Sequence, residues 1–414
     1  MKTLLLSTDD IQGGAARAAY RLHQGLQKAG VNSQMLVKEK SSQDPTVIAP
    51  ATKLAEGIAK TKQTFAALPL KLYSQRQGTT FSTQWLPDNI VPQVAQINPD
   101  VINLHWINNS YMQIETLGKL KRPLVWSLHD MWAFTGGCHY NQECDRYTNS
   151  CGSCPQLGSN QDWDLSRWIW RRKVKAWQNI NLTIVALTSW LASCAASSSL
   201  FKQQRIEIIP NGIDTNIYRP IPRQLAREAL NLPQDKELLL FGSLNATSDK
   251  RKGFHLLQAA LQDLRKDTLE LVVFGASEPE NPPDLGFKTH YLGTFADDLS
   301  LALIYSAADV FVLPSVQDNL PNTIMEAIAC GTPCLGFNIG GLPDMIEHHG
   351  NGYLAQPFNI EDLAQGITWL LENRERHQKL CHRAREKAEQ EFTLELQAQR
   401  YLKLFRELVE EESK

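Results

Sequence analysis

The chain has 414 residues, a formal net charge of −2 at pH 7 and eight cysteines. This length exceeds what one ordinary hydrophobic core supports, so two domains are expected. The near balance of charge excludes a protein that holds nucleic acid by bulk electrostatics. No apolar run is long enough to span a bilayer, and residues 1–7 are too short for the core of a signal peptide, so a cytoplasmic protein is expected.

The first half of the chain alternates between predicted strands and helices. Residues 2–7 are an apolar strand, Gly13 and Gly14 form a loop, residues 15–29 have helical spacing, and residues 31–37 are the next strand. This order is typical of the opening of a doubly wound parallel sheet. The glycine pair permits close approach of a ligand at the end of the first strand, although an ordinary tight turn explains it equally well. Later strands are predicted at residues 101–104, 124–128, 182–186 and 206–209.

Residues 51–73 interrupt this alternation with a helical pattern in which lysines stand among apolar residues. The lysines are Lys53, Lys60, Lys62 and Lys71. A solvated helix face is the plainer interpretation, and a helix that contacts a membrane surface or an acceptor is the alternative.

Four of the eight cysteines are clustered in a predicted insertion at residues 136–156, together with His139. Cys138, Cys144, Cys151 and Cys154 have the spacing C-x5-C-x6-C-x2-C. In a cytoplasmic chain this cluster favours a structural zinc site, with disulfides or free thiols as the alternatives. The other four cysteines are scattered through strand-like and helix-like segments, as buried free thiols usually are.

The alternation restarts in the second half. Strands are predicted at residues 238–241, 269–274 and 310–313, and helices at residues 254–264 and 301–307, before a long amphipathic helix at residues 394–411. We therefore predict an N-terminal domain at residues 1–205, a C-terminal domain at residues 206–390, and a final helix at residues 391–414.

A polar loop and a helix start follow the strand predicted at residues 310–313. Pro321 suits the first helical turn, and Gly331 suits the position just past the helix end. The N–H groups at such a helix start attract anions and sugar hydroxyls. Two carboxylates, Asp318 in the loop and Glu326 one turn into the helix, flank the same point, which predicts a ligand site. Helix capping is the plainer alternative, above all for Asp318.

This second half resembles the retaining glycosyltransferases of family 4. Asp318 and Glu326, separated by seven residues, match that family's acidic pair, and the stretches 208–214, 241–244, 252–253, 305–315, 326–333 and 340–344 match its other motifs in order. The N-terminal half matches through Gly13, Gly14 and residues 127–130. The resemblance implies an α/β fold of the GT-B class, in which two Rossmann-like domains with doubly wound parallel sheets face each other across a cleft.

By this resemblance the C-terminal domain binds a nucleotide sugar. Lys252 would neutralise the departing diphosphate, Glu326 would accept hydrogen bonds from the ribose, and Asp318 would hold hydroxyls of the transferred sugar. Further donor contacts are expected from Gly14, Ser243, Arg251, Leu320, Pro321, Asn322 and Thr323.

Two residues depart from the family's pattern. The first acid is usually Glu and is Asp318 here, and Ser243 stands where the family often has Arg. Arg251 is our hypothesis for the missing second cation. A solvated charge within the basic stretch 250–252 is the plainer interpretation of Lys252.

The acceptor side is expected in the N-terminal domain. His129 would contact the transferred sugar, with His105 as the competing histidine, and Gly13 and Asp130 would lie beside them. Asp130 would orient His129 or help to activate the acceptor. In the mechanism that the resemblance implies, the leaving phosphate takes the acceptor proton, so neither a protein nucleophile nor a cofactor is required. Asp318, His129 and Lys252 are the predicted catalytic residues.

The sequence therefore predicts a retaining glycosyltransferase that acts in polysaccharide or glycoconjugate biosynthesis. The expected partners are a nucleotide-sugar donor and a glycan or lipid-linked glycan acceptor, with peripheral contact at the inner face of the plasma membrane as a further hypothesis. A nucleotide-sugar epimerase of the same architecture and a non-catalytic protein that binds sugar nucleotides or glycans are the alternatives. The sugar, the base and the acceptor are not specified by these residues.

Overall fold

The computed structural model describes residues 1–49, 62, 64–242, 249–262, 264, 268–277, 286–295 and 297–412. The chain forms two compact units. Unit 1 contains Met1–Pro210 and Gln397–Lys414, and unit 2 contains Asn211–Leu396.

Unit 1 is built on a parallel sheet of seven strands. They are β1 (Lys2–Asp9), β2 (Asn32–Glu39), β3 (Val47–Ile48), β4 (Val101–Leu104), β5 (Leu124–Leu128), β6 (Leu182–Ala186) and β7 (Arg205–Ile208). Their order is β3-β2-β1-β4-β5-β6-β7, so the direction of winding reverses between β1 and β4. Open sheets of this kind bind ligands beyond the carboxyl ends of the strands at such a reversal.

The central strands of this sheet are buried along their whole length, which explains their nearly continuous apolar sequences. Asn103 is the exception in β4, where it is fully buried between Leu5 of β1 and Val125 of β5. A buried amide in a central strand must have hydrogen-bond partners, so it marks a polar feature inside the sheet. The first helices of the chain are α1 (Gly14–Lys28), α2 (Ile90–Ile97), α3 (Leu165–Trp177) and α4 (Ser189–Ser197).

Unit 2 has a second parallel sheet, of six strands. They are β8 (Glu237–Gly242), β9 (Leu269–Phe274), β10 (Thr289–Tyr291), β11 (Val310–Leu313), β12 (Cys334–Phe337) and β13 (Gly352–Ala355). The order β10-β9-β8-β11-β12-β13 places the reversal between β8 and β11. Its helices are α5 (Arg223–Ala229), α6 (Phe254–Gln262), α7 (Asp298–Ala307), α8 (Asn322–Ala329), α9 (Leu342–Met345), α10 (Ile360–Leu371) and α11 (Arg374–Glu391). The prediction of two doubly wound parallel-sheet domains is confirmed.

The last helix, α12 (Leu394–Glu412), belongs mostly to unit 1. Tyr401, Phe405 and Leu408 are buried in the same cluster as Leu5 and Val125 of the first sheet. The predicted domain border at residues 205/206 falls inside β7, which pairs with β6 and therefore lies in unit 1.

Most of the helix predicted at residues 51–73 lies outside the described residues. Its described end is a helical turn followed by a 3-10 helix, Leu68–Leu72. Within the described part of the chain, no helix combines the length and apolarity that crossing a bilayer demands.

Candidate active site

Two loops of unit 2 bring Lys252 and Asp318 into contact. Lys252 follows β8 and Asp318 follows β11, which are neighbouring strands at the reversal of the sheet. Lys252 Nζ donates to Asp318 Oδ2 at 2.7 Å, and Arg251 Nη1 lies 3.3 Å from the same oxygen. The structure thus joins the predicted phosphate-binding cations to the carboxylate predicted to bind the sugar.

Two glycines make this approach sterically feasible. Gly253 has φ +74°, and a Cβ there would lie 1.8 Å from the Pro314 carbonyl oxygen. Gly340 has φ +54°, and a Cβ there would lie 2.1 Å from the carbonyl oxygen of Asp318. Side chains at either position would push the Lys252 loop or the Asp318 loop away from its neighbour.

The carboxylate of Asp318 is buried, at 6% exposure, and is held by four groups. Besides the two cations, the Ser315 hydroxyl donates to Oδ2 and the Asn319 amide donates to Oδ1, each at 3.2 Å. Burial alone would raise the pKa of Asp318, but Lys252 and Arg251 outweigh burial and hold this pKa at about 2. Asp318 is therefore ionised at neutral pH, and its charge is balanced inside the site.

Helix α8 begins at Asn322, so Pro321 is the residue before the helix and not in its first turn as predicted. Leu320 and Pro321 are both buried. The hydroxyl of Thr323 is buried, and it makes no hydrogen bond within the described part of the protein. A buried hydroxyl without a partner is unusual and fits a position that a ligand completes.

Glu326 lies in the middle of α8 with 3% exposure. Its Oε2 accepts a hydrogen bond of 2.9 Å from the hydroxyl of Tyr305, a fully buried residue of α7 that packs edge-on against Phe274 and Phe311. Burial raises the pKa of Tyr305, and the nearby Glu326 raises it further. We did not predict Tyr305 as a site residue, although an acid on the buried face of an apolar helix indicates that such a donor must exist.

Arg251, Gly13 and Gly14 lie within the described residues, whereas Ser243 does not. Arg251 also donates to the Gln317 carbonyl at 3.1 Å, which anchors it beside Asp318. Gly13 lies in the loop that follows β1 of unit 1 and immediately precedes α1, and Gly14 is the first residue of this helix.

The predicted histidines of unit 1 contact each other. His105 follows β4, His129 follows β5, and His105 Nδ1 lies 2.9 Å from His129 Nε2. Together with Asp130 they line a cavity of about 210 Å³ beyond the carboxyl ends of these strands. Burial lowers the pKa of His129 to about 4 and that of His105 well below its ordinary value, so both rings are neutral at pH 7.

The hydrogen bonds of Asp130 point away from His129. Asp130 accepts from Trp106 Nε1 at 2.9 Å and from the Trp132 amide at 2.8 Å, and it pairs with His139 Nδ1 at 2.6 Å. Burial alone would raise the pKa of Asp130, but His139 and the N–H donors outweigh burial and lower it. His105, and not Asp130, is therefore the side chain that the hydrogen bonds connect to His129, and His139 supports Asp130.

Cys138, Cys144, Cys151 and Cys154 all line one cavity of about 300 Å³ in unit 1. All eight cysteines are free thiols. In the parts of the chain that the structure describes, no three His, Cys, Asp or Glu side chains are arranged so that they could hold a metal ion. The clustering predicted from the sequence is thus present, but its sulfur atoms are not positioned as metal ligands.

Two glycosyltransferase families match successive parts of the chain. The family described as Glycosyltransferase Family 4 matches residues 12–217, and the family described as Glycosyl transferases group 1 matches residues 222–391. Among curated proteins, D-inositol 3-phosphate glycosyltransferase of Thermobispora bispora is 28% identical over 187 residues, which are 42% of this chain and 44% of that protein. The alignments with the first curated relatives span between 30% and 64% of the relatives' own length.

Solved structures share the fold over the whole chain. Sucrose-phosphate synthase from Thermosynechococcus elongatus superposes with a TM-score of 0.70 at 19% identity, covering 99% of each chain. The Anabaena protein HepE, solved in complex with UDP and glucose, superposes with a TM-score of 0.65 at 18% identity, covering 98% of this chain and 99% of its own. With two family matches that follow each other along the sequence and this shared GT-B fold, the chain belongs to the group 1 glycosyltransferases of the family 4 type.

Proposed function

We propose that this protein is a retaining glycosyltransferase that moves a sugar from a nucleotide-sugar donor to an acceptor hydroxyl. The observation that carries the proposal is the meeting of Lys252, Arg251 and Asp318 beside the start of α8, at the reversal of the unit 2 sheet. Cations and a helix start at such a point suit a diphosphate, and a carboxylate beside them suits sugar hydroxyls.

The chemistry assigned to these groups follows from their charges. Breaking the anomeric C–O bond leaves negative charge on the departing diphosphate, which Lys252 and Arg251 would neutralise. Asp318 then exchanges its cation contacts for hydroxyls of the sugar, and Glu326 accepts hydrogen bonds from the ribose. The acceptor hydroxyl attacks the anomeric carbon from the face that the diphosphate leaves, and the leaving phosphate accepts its proton. The substituted carbon therefore keeps its configuration without a protein nucleophile.

A thermal-shift screen of nucleotide sugars tests the donor, because a ligand that binds only the native protein raises its melting temperature. UDP-glucose is the first probe, since HepE was solved with UDP and glucose. In subsequent kinetics, Glu326→Ala should raise the donor KM, whereas Asp318→Ala should lower kcat strongly. Wild-type kinetics in both variants would refute this site.

The same assays separate the alternative functions. An epimerase would convert the donor sugar in the absence of any acceptor, which NMR of donor plus enzyme detects. A non-catalytic binding protein would be stabilised by the donor without transferring or hydrolysing it.

We also propose that unit 1 contacts an anionic membrane surface, where a lipid-linked glycan acceptor would reside. Phe65, Leu68 and Leu72 are 57%, 42% and 85% exposed, at spacings that repeat on one side of a helical segment. Lys62 and Lys71 lie in the same segment, and basic residues beside exposed apolar ones are typical of interfacial binding.

Flotation with phosphatidylglycerol vesicles tests this membrane proposal. The variant Leu68→Glu/Leu72→Glu should lose flotation, whereas Leu225→Glu, at an exposed leucine of unit 2, should retain it. Equal flotation of both variants would exclude this segment as the contact.

For the four clustered cysteines we propose a structural zinc site that forms when the thiols draw together around the cavity. The support for this proposal is that all four thiols line one cavity. Metal analysis of the purified protein should find one zinc, which Cys138→Ser removes and Cys194→Ser, outside the cluster, does not. Four reactive thiols and no zinc would eliminate the proposal.

A further inference from the structure

A chain of hydrogen bonds runs behind the two histidines of unit 1, and it passes through the buried Asn103. The amide nitrogen Nδ2 of Asn103 lies 3.1 Å from the Val125 carbonyl oxygen and 2.9 Å from Ser127 Oγ. A backbone carbonyl only accepts hydrogen bonds, so the NH2 group must face Val125. The opposite atom, Oδ1, is therefore an acceptor that faces His105.

This orientation determines the tautomer of His105. His105 Nε2 lies 3.0 Å from Asn103 Oδ1, which can only accept, so Nε2 must carry a proton. His105 is 3% exposed and neutral at pH 7, and a neutral imidazole has one proton. His105 Nδ1 is consequently the unprotonated nitrogen and an acceptor.

The tautomer of His105 in turn determines the tautomer of His129. His105 Nδ1 faces His129 Nε2 at 2.9 Å, so His129 Nε2 must be the donor. In the neutral His129 ring, Nδ1 is then the acceptor nitrogen. A hydrogen bond between this ring and a sugar hydroxyl must therefore use Nδ1, because Nε2 is already engaged by His105.

The far end of the chain is a residue of α12. Tyr401 OH lies 2.7 Å from Ser127 Oγ, and both groups are buried. The polar series Tyr401, Ser127, Asn103, His105 and His129 is continuous, so no member is left without a hydrogen bond in a region where an unpaired polar group is costly.

We propose that Asn103 and His105 are positioning residues, which hold His129 as the Nε2-protonated tautomer and so make Nδ1 the atom that accepts a hydrogen bond from a sugar hydroxyl. The role of Nδ1 rests on the proposed function, in which His129 contacts the transferred sugar. The tautomer of His129 is a property of the ligand-free protein and can be tested without any activity.

The tautomer is read by NMR of the full-length protein labelled with ¹⁵N-histidine. Two-bond ¹H–¹⁵N correlations at pH 7 distinguish protonated from unprotonated ring nitrogens, and the His129 signals are identified by their disappearance in His129→Asn. We expect a protonated Nε2 and an unprotonated Nδ1. A protonated Nδ1 would overturn the proposal.

Two substitutions of His105 form a matched pair. The amide of an asparagine reaches the position of the imidazole Nδ1, whereas that of a glutamine reaches the position of Nε2. His105→Asn therefore keeps an acceptor for His129 and should preserve the tautomer, while His105→Gln removes it and should give a mixture. An unchanged tautomer in His105→Gln would show that His105 does not determine it.

Ligand titration tests the role of Nδ1. UDP-glucose should shift the His129 Nδ1 resonance, and UDP alone, which lacks the sugar, should not. His105→Gln should also hydrolyse UDP-glucose more slowly than His105→Asn, by roughly tenfold in kcat at similar KM, as for outer partners of metal-bound histidines. A shift at Nε2, or equal kcat in the pair, would contradict this role.

Failure of the proposed function would look different. If UDP-glucose neither binds nor reacts while the ligand-free spectra show the expected tautomer in the wild type and its loss in His105→Gln, the positioning chain stands. That outcome would count against the donor assignment alone.

Discussion

Replacing Lys252 by methionine is the sharpest test of the unit 2 site. The side chains have similar length, so the change removes the ammonium group and keeps most of the apolar stem. Lys252 donates to Asp318 at 2.7 Å, and Arg251 remains 3.3 Å from the same oxygen. Lys250→Met is the matched control, because Lys250 lies two residues away and is exposed.

The expected loss in UDP affinity follows from one charge-assisted hydrogen bond, which is worth about 1.5–3 kcal/mol. In the free protein Lys252 is already paired with Asp318, so the loss of that contact offsets part of the energy gained from the phosphate. We therefore expect the lower end, about a tenfold rise in Kd for UDP by isothermal titration calorimetry. Lys250→Met should change Kd less than about twofold.

The same variant should alter the pH dependence of stability. A shift of the Asp318 pKa from 3.8 to about 2 corresponds to about 2 kcal/mol of stabilisation, which is complete above pH 5. Because the folded-state pKa is lowered, this contribution is lost as the pH falls, and about half of it is gone by pH 3. In Lys252→Met the pKa returns toward 3.8, so the variant is less stable at pH 7 and loses less on acidification.

Urea unfolding at pH 7, 5 and 3 measures this difference between the variant and the wild type. Equal UDP affinity in Lys252→Met and Lys250→Met would show that Lys252 is not a phosphate contact. A stability difference that does not shrink between pH 5 and pH 3 would show that Asp318 and Lys252 are not coupled.

Three further substitutions test other parts of unit 2. Tyr305→Phe removes the hydroxyl that donates to Glu326. It should lower the free energy of unfolding by about 1–2 kcal/mol in urea titrations and weaken UDP binding. Unchanged UDP binding would show that Glu326 is not part of the donor site. Gly253→Ala should lower the free energy of unfolding by about 3 kcal/mol, because its Cβ would lie 1.8 Å from the Pro314 carbonyl oxygen. The control Gly293→Ala, at φ +73° with open space around it, should lower it by about 1 kcal/mol. Equal decreases in the two variants would show that the structure relieves the clash. Thr323→Val replaces a buried hydroxyl that has no hydrogen-bond partner among the described residues, so it should leave the free energy of unfolding unchanged. It should raise the Kd for UDP by about threefold to tenfold. An unaltered Kd would show that Thr323 does not contact the donor.

The strands of both sheets were largely predictable, because strands buried on both faces are short apolar runs. The strands at residues 101–104, 124–128, 182–186, 269–274 and 310–313 were predicted to the residue. Strands β3, β10, β12 and β13 were not predicted. β3 and β10 are only two and three residues long, Gly336 interrupts the apolar pattern of β12, and Gly352 begins β13. These glycines permit close packing in the fold, but the low β-propensity of glycine predicts the end of a strand.

The residues of the candidate site could be named from the sequence, but their pairings could not. Asp318 and Lys252 were both identified, yet their contact depends on the neighbouring positions of β8 and β11, which are separated by a crossover in the sequence. Asn103 was not singled out, although a lone amide in an apolar strand is the signal that could have identified it. For Asp130, sequence adjacency suggested His129 as its partner, whereas the fold brings His139 to it.

The return of α12 to unit 1 has a consequence for the order of folding during synthesis. Unit 2 occupies one uninterrupted stretch, Asn211–Leu396, whereas the core of unit 1 includes Tyr401, Phe405 and Leu408. The ribosome therefore completes all of unit 2 before it supplies the last apolar side chains of unit 1. Unit 1 is therefore begun first and finished last. These side chains cover an apolar face of its sheet, and that face stays accessible to chaperones until residue 408 has emerged.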